Sequence, residues 1–116
     1  MTYSAELIIC IVNQGYEDMV IQSANEIGVT GGTFLGAHGI SKLDAERFFG
    51  ISIHPEKQVV MMVVPKEKKD AILNRLYDDV GITKGAQGIA FSIPVDDMTE
   101  NLKQQLFSKK NINKKD

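Results

Sequence analysis

The sequence predicts an α+β domain of the ferredoxin-like class: a four-stranded antiparallel sheet in the chain order β-α-β-β-α-β, with both helices on one face. Three observations carry this expectation. Apolar runs of strand length recur at 6–12, 29–35, 58–64 and 90–95. Two stretches with helical spacing, 16–27 and 66–80, separate the first run from the second and the third from the fourth. The strand runs are also apolar on both faces, with Ile8, Cys10 and Val12 alternating with Leu7, Ile9 and Ile11. One helical layer covers one face only, so the second face is expected to meet another copy of the chain.

The first strand, Glu6–Val12, is too continuously apolar to be half exposed and reads as central; Asn13-Gln14-Gly15 ends it. The first helix, Tyr16–Ile27, places Met19, Val20, Ala24 and Ile27 on one stripe. Glu17 and Asp18 sit at its start, where negative charge suits the helix dipole, and Gly28 follows its last apolar residue as a C′ glycine. Val29–Leu35 reads as the second strand, with Gly31 and Gly32 marking a bulge or a close backbone approach. Residues 36–53 lose all periodicity and read as a connecting loop with one short helical turn at Leu43–Phe48. A loop this long in so small a domain points to function.

Gln58–Val64 is the third strand, ended by Pro65, with the adjacent Met61 and Met62 packing on opposite faces. Lys66–Val80 is the second helix, with Ala71, Ile72, Leu76 and Val80 in phase and Lys66–Lys69 as its polar entry; Gly81 closes it. Ala90–Val95 is the fourth strand, and Pro94 points to a sheet edge or to the strand's end. Asp97–Phe107 reads as a short final helix.

At 116 residues, with 43% hydrophobic and 24% charged residues, the chain fits one ordinary globular domain and not a disordered segment. No apolar run approaches the ~20 residues that a spanning helix needs. The start MTYSAELIICIV lacks a positive region and is interrupted by Glu6, so no secretory leader is expected. A single cysteine, Cys10, excludes an internal disulfide framework and suits a reducing cytoplasm. The net charge of −2 argues against a nucleic-acid partner. Four lysines against Asp116 give residues 108–116 a charge of +3, leaving −5 for the rest; this tail reads as a solvated end.

The glycines cluster. Gly28, Gly31, Gly32, Gly36 and Gly39 surround the second strand, and Gly81, Gly85 and Gly88 precede the fourth. Glycine lets backbone N–H groups approach an anion, and Thr83-Lys84-Gly85-Ala86-Gln87-Gly88 adds a cation to such a loop, although tight turns account for glycines equally well. A Gly88→Val substitution is expected to fill space reserved for phosphate while leaving assembly intact. His38, His54 and Cys10 are the candidate metal ligands, with Cys10 in a strand where a thiol normally packs as a small hydrophobe. No nucleophile with an activating base and no P-loop pattern stands out, so an enzyme is not expected.

The chain resembles the P-II signal-transduction superfamily of nitrogen regulation, and its P-II-like branch more than the nitrogen-regulatory type members. The matching pieces are Ile27-Gly28-Val29-Thr30-Gly31-Gly32-Thr33, the turn Gly36-Ala37-His38-Gly39, Pro55-Glu56-Lys57, and Gly85-Ala86-Gln87-Gly88-Ile89-Ala90-Phe91-Ser92-Ile93-Pro94-Val95, in the family's order. The resemblance implies a homotrimer with its sheets packed inward and three adenine-nucleotide sites (AMP, ADP or ATP) in the clefts between subunits. It implies a domain over 1–98 with a T-loop equivalent at 40–53, based on 36–39, a B-loop equivalent at 83–88, and a C-terminal segment at 99–116. By position Ile11 and Thr33 would flank the adenine. His38, Gly39, Lys57 and the loop residues Lys84, Gly85, Ala86, Gln87 and Gly88 would surround the phosphates.

The departures from the type members are also informative. The T-loop equivalent is short and holds no tyrosine, so uridylylation is not supported; Ser41 and Ser52 are its hydroxyl groups. Ala86, Gln87 and Ile89 stand where type members carry glycine, an acidic residue and lysine. The C-terminal arginines are replaced by Lys103 and the lysine tail, and these losses favour a ligand with fewer phosphates, or weaker binding, over tight ATP recognition. A site for 2-oxoglutarate and magnesium is not expected, because Ile40 or Ser41 replaces the usual glutamine. The expected role is a non-catalytic, cytoplasmic sensor acting on a membrane transporter or metabolic enzyme. The alternative is a metal-binding trimer similar to the CutA family.

Overall fold

The structure is a computed structural model that describes residues 4–39 and 55–107. The expected helix at Leu43–Phe48, the T-loop equivalent with Ser41 and Ser52, His54 and the lysine tail lie outside these residues. The elements are β1 (Ala5–Asn13), α1 (Glu17–Asn25), β2 (Thr33–His38), β3 (Glu56–Pro65), α2 (Lys66–Val80), β4 (Ile89–Val95) and α3 (Glu100–Phe107). The sheet is antiparallel in the order β2-β3-β1-β4. This is the ferredoxin-like arrangement expected from the sequence, with β1 central and β4, which carries Pro94, at an edge.

Register explains how the two faces divide. Ile8, Cys10 and Val12 on β1 stand beside Met62, Val60 and Gln58 on β3 and face the helices. Together with Val64 from β3, Val20 and Ala24 from α1, and Ile72, Leu76 and Val80 from α2, they form the core. Met19 falls outside this core and is exposed, as is Ala71. The two helices are tied at their polar edges. The Ser23 hydroxyl donates to Asp79 Oδ2 at 2.6 Å, Arg75 Nε donates to the same oxygen at 2.9 Å, and Arg75 also pairs with Glu26.

The other face carries Leu7, Ile9, Ile11, Val59, Met61, Val63, Leu35, Ile89, Phe91 and Ile93. Leu35 is 47% exposed, Ile89 52%, Phe91 43% and Ile93 45%, a contiguous apolar area that the described elements leave open. α3 lies against its β3 side, where Leu102 and Leu106 border a groove of about 850 Å³ with Leu7, Met61 and Val63.

The second strand departs most from the expectation. The second strand starts at Thr33, not Val29, and runs through Gly36-Ala37-His38, which pair with Gln58, Lys57 and Glu56 instead of forming a turn. The cause is the end of α1. Gly28, at φ +102°, donates to Asn25 O, and Val29 donates to Ala24 O, a Schellman closure that turns Val29 into the core. Gly32 then passes close to β3: a Cβ there would lie 3.4 Å from Met61 O and 3.2 Å from Met62 Cγ.

Candidate functional site

The glycine loop after α2 is built from two tight turns. Lys84 N–H donates to Gly81 O at 2.9 Å, Gln87 N–H to Lys84 O at 3.0 Å, and Gly88 N–H to Val80 O at 2.7 Å, which returns the chain to the end of α2. Gln87 adopts φ +49°, a left-handed conformation that a side chain occupies at a cost of about 1 kcal/mol, and its Oε1 is buried without a partner among the described residues.

β1 ends against this loop. Asn13 N–H donates to Ala86 O at 2.9 Å, and Asn13 Nδ2 donates to Gly85 O at 3.0 Å. Lys57 Nζ donates to Asn13 Oδ1 at 2.7 Å, so a donor on one side and an acceptor on the other fix the amide's orientation. Lys57 sits opposite Asn13 on one side and Ala37 on the other, and is buried. Gly39 stands beside it: a Cβ there would lie 3.9 Å from Lys57 Cγ. The Tyr16 hydroxyl lies over Gly85, where a Cβ would come within 2.5 Å of it.

Gly39, Lys57, Lys84, Gly85, Ala86, Gln87 and Gly88 thus gather where β1 ends and β3 and β4 begin, and Ile11 stands next to them opposite Ile89 and Val59. His38 is at the same end of the edge strand, opposite Glu56. Thr33 is not brought there. It pairs with Met61, four residues along the strand from Ala37, or ~13 Å, on the far edge of the sheet. Ile11 and Thr33 nevertheless share the uncovered apolar face.

The expectation for the loop glycines needs correcting. Gly88 is buried, its N–H is held by Val80 O, and a Cβ there would lie 2.4 Å from Val80 O and 2.9 Å from Val12 Cγ1. Glycine is therefore required at 88 by the packing of β1 and α2, whatever ligand the loop meets. Ala86 belongs to the core and is 1% exposed, so its role is to anchor the loop from inside. The exposed members are Thr83, Lys84 and Gly85.

Asn13 and Tyr16 were not legible as site residues, because one reads as strand punctuation and the other as the start of a helix. The only sequence signal was a polar amide directly ending the most apolar strand. Beside the loop, an apolar cleft of about 290 Å³ opens between α2 and β4, lined by Leu76, Val80, Ile82 and Ile89.

Among the described residues the metal alternative does not assemble. Burial pushes the Cys10 thiol up to about 12, away from the thiolate a metal needs. Cys10 shares a row with Val60 and Phe34, four residues along from His38. Among the described residues no group of three or more histidine, cysteine, aspartate or glutamate side chains converges. Among them, too, no helix is long and apolar enough to cross a membrane.

No family model matches the chain, and no curated protein matches it in sequence. Solved structures match it in fold. The ATP complex of GlnK from B. subtilis is 19% identical, with 80% of this chain and 84% of that one covered at a TM-score of 0.61. CPII from Thiomonas intermedia K12 bound to ADP, AMP and acetate is 14% identical, with 87% and 94% covered at 0.65. A DUF3240 family protein from Shewanella baltica OS155 is 14% identical, with 85% and 97% covered at 0.62. The fold of this chain is thus that of the PII proteins.

Proposed function

We propose that the chain is a P-II-like signalling protein, non-catalytic, that binds an adenine nucleotide in the clefts between three copies of itself and regulates a membrane transporter or metabolic enzyme. The observation that carries this reading is the convergence of Gly39, Lys57 and the Lys84–Gly85 loop at one end of the sheet, on the border of an apolar face that the described elements leave open. A copy packed on that face would bring a neighbour's Thr33 toward the first copy's Ile11 and loop, which one chain cannot do. Burying it also stabilises assembly, at about 25 cal/mol per Å² of apolar surface. The PII-fold neighbours crystallised with ATP or with ADP and AMP support the ligand class.

In this reading Ile11 and Thr33 flank the base, while Gly39, Lys57, Lys84, Gly85 and Gln87 face the phosphates and Ala86 and Gly88 hold the loop's shape. The domain is 1–98, its T-loop equivalent 40–53 is the element a partner reads, and 99–116 is an appended segment. A nucleotide with different affinities for two states of that element shifts their populations by the ratio. Calorimetric titration with AMP, ADP, ATP and cyclic di-AMP, with and without magnesium, tests the reading. Saturable heat from an adenine mononucleotide is expected; no heat from any of the four overturns it.

A further inference from the structure

We infer that Asn13 is a positioning residue that couples the glycine loop to the start of β3, so that an anion arriving at Gly85 is registered at Lys57. This deepens the nucleotide reading above and rests on it. Asn13 spreads its four polar groups over the glycine loop, β3 and the start of α1. Its backbone N–H holds Ala86 O at 2.9 Å, its Nδ2 holds Gly85 O at 3.0 Å, and its Oδ1 receives Lys57 Nζ at 2.7 Å. Its carbonyl receives Tyr16 N–H at 3.2 Å, and the Tyr16 hydroxyl in turn covers Gly85. The backbone bonds anchor the residue, so its side chain cannot follow either partner when that partner moves.

The chemistry suits asparagine alone among short side chains. Aspartate would accept from Lys57 but could not donate to the Gly85 carbonyl, and serine lacks a second polar atom to span both. Lys57 is 6% exposed and lies in register between Asn13 on β1 and Ala37 on β2, and its ammonium meets the Asn13 amide at the end of the sheet. A phosphate oxygen beside the exposed Gly85 attracts this mostly buried ammonium. Lys57 then shares or leaves Asn13 Oδ1 for the anion, while Nδ2 keeps the loop in place. The occupied and empty loops thereby present different bonding at the first residues of β3, which follow residues 40–54 in the chain.

A double-mutant cycle read by calorimetry with ADP tests this. Asn13→Ala and Lys57→Met are each expected to weaken ADP binding about tenfold, the scale of one charge-assisted hydrogen bond. The double variant is expected to bind no more weakly than the weaker single one, because the two act as a unit. Asn13→Asp guards against a folding defect in Asn13→Ala. It keeps the size and the Lys57 contact, so it is expected to melt near the wild type yet bind ADP at least tenfold more weakly, because its carboxylate retains the ammonium. Additive losses in the double variant, or wild-type ADP affinity in both Asn13 variants, overturn the inference while leaving the nucleotide reading intact. Absence of ADP, AMP and ATP binding by the wild-type chain overturns both.

Discussion

Replacing Gly88 by alanine separates a glycine that serves packing from one that serves a ligand. The added Cβ would lie 2.4 Å from the Val80 carbonyl oxygen and 2.9 Å from Val12 Cγ1. The first is backbone at the end of α2, and the second belongs to a side chain with no exposure. Neither can swing away, so the loop must retreat and lengthen the 2.7 Å bond from Gly88 N–H to Val80 O. Overpacking of this kind costs 1–3 kcal/mol and a weakened backbone hydrogen bond about 1 more, giving roughly 2–4 kcal/mol in all. For a domain of this size that is a fall of roughly 8–16 °C in melting temperature. Gly31→Ala is the control: nothing lies within 4 Å of its Cβ position, and a change within about 0.5 kcal/mol is expected. Urea melts of both variants at one protein concentration supply the numbers, the concentration being fixed because assembly adds to stability. If Gly88→Ala melts like the wild type and loses only nucleotide affinity, the packing explanation is wrong.

Three other outcomes follow from the same structure. Phe91→Asp places a charge on the edge strand of the open face and should turn the assembled protein into single chains by light scattering; an unchanged mass would mean that copies do not meet there. The Ser23 hydroxyl, then Arg75, holds the Asp79 carboxyl below its ordinary 3.8. Its stabilisation is therefore complete above that value and is lost as pH falls through the lower folded one, so Ser23→Ala should cost about 1.5–3 kcal/mol at neutral pH and progressively less in strong acid, by urea melts. Cys10, buried with its thiol pushed up to about 12, should react with a thiol reagent in mild alkali only as fast as the chain unfolds; rapid stoichiometric labelling of the native protein would contradict its placement.

What was legible in the sequence was what local pattern controls. α2 spans Lys66–Val80 as read, because a 3.6-residue period runs uninterrupted between Pro65 and Gly81. The central place of β1 and the apolar second face followed from residues alternating without any polar side, a property of composition alone. The second strand was placed four residues early because Val29 has strand propensity, while its actual position is set by the hydrogen bonds that close α1 around Gly28. Gly36-Ala37-His38 extends the sheet through pairing with Lys57 and its neighbours, a partnership some twenty residues away that no local signal announces. The site divides in the same way. Lys84 and Gly85 could be picked out by residue type, whereas Asn13 and Tyr16 act only through contact with a loop about seventy residues downstream.

A crystal structure of the protein soaked with ADP tests the central claim most directly. The account predicts three copies packed through their open faces, with each nucleotide between two of them. The phosphates should lie at Lys84 and Gly85 of one copy, within reach of its Lys57, and the base should lie between that copy's Ile11 and a neighbour's Thr33. Nucleotide bound within a single chain away from this loop, or copies assembled through the helical face instead, would contradict it.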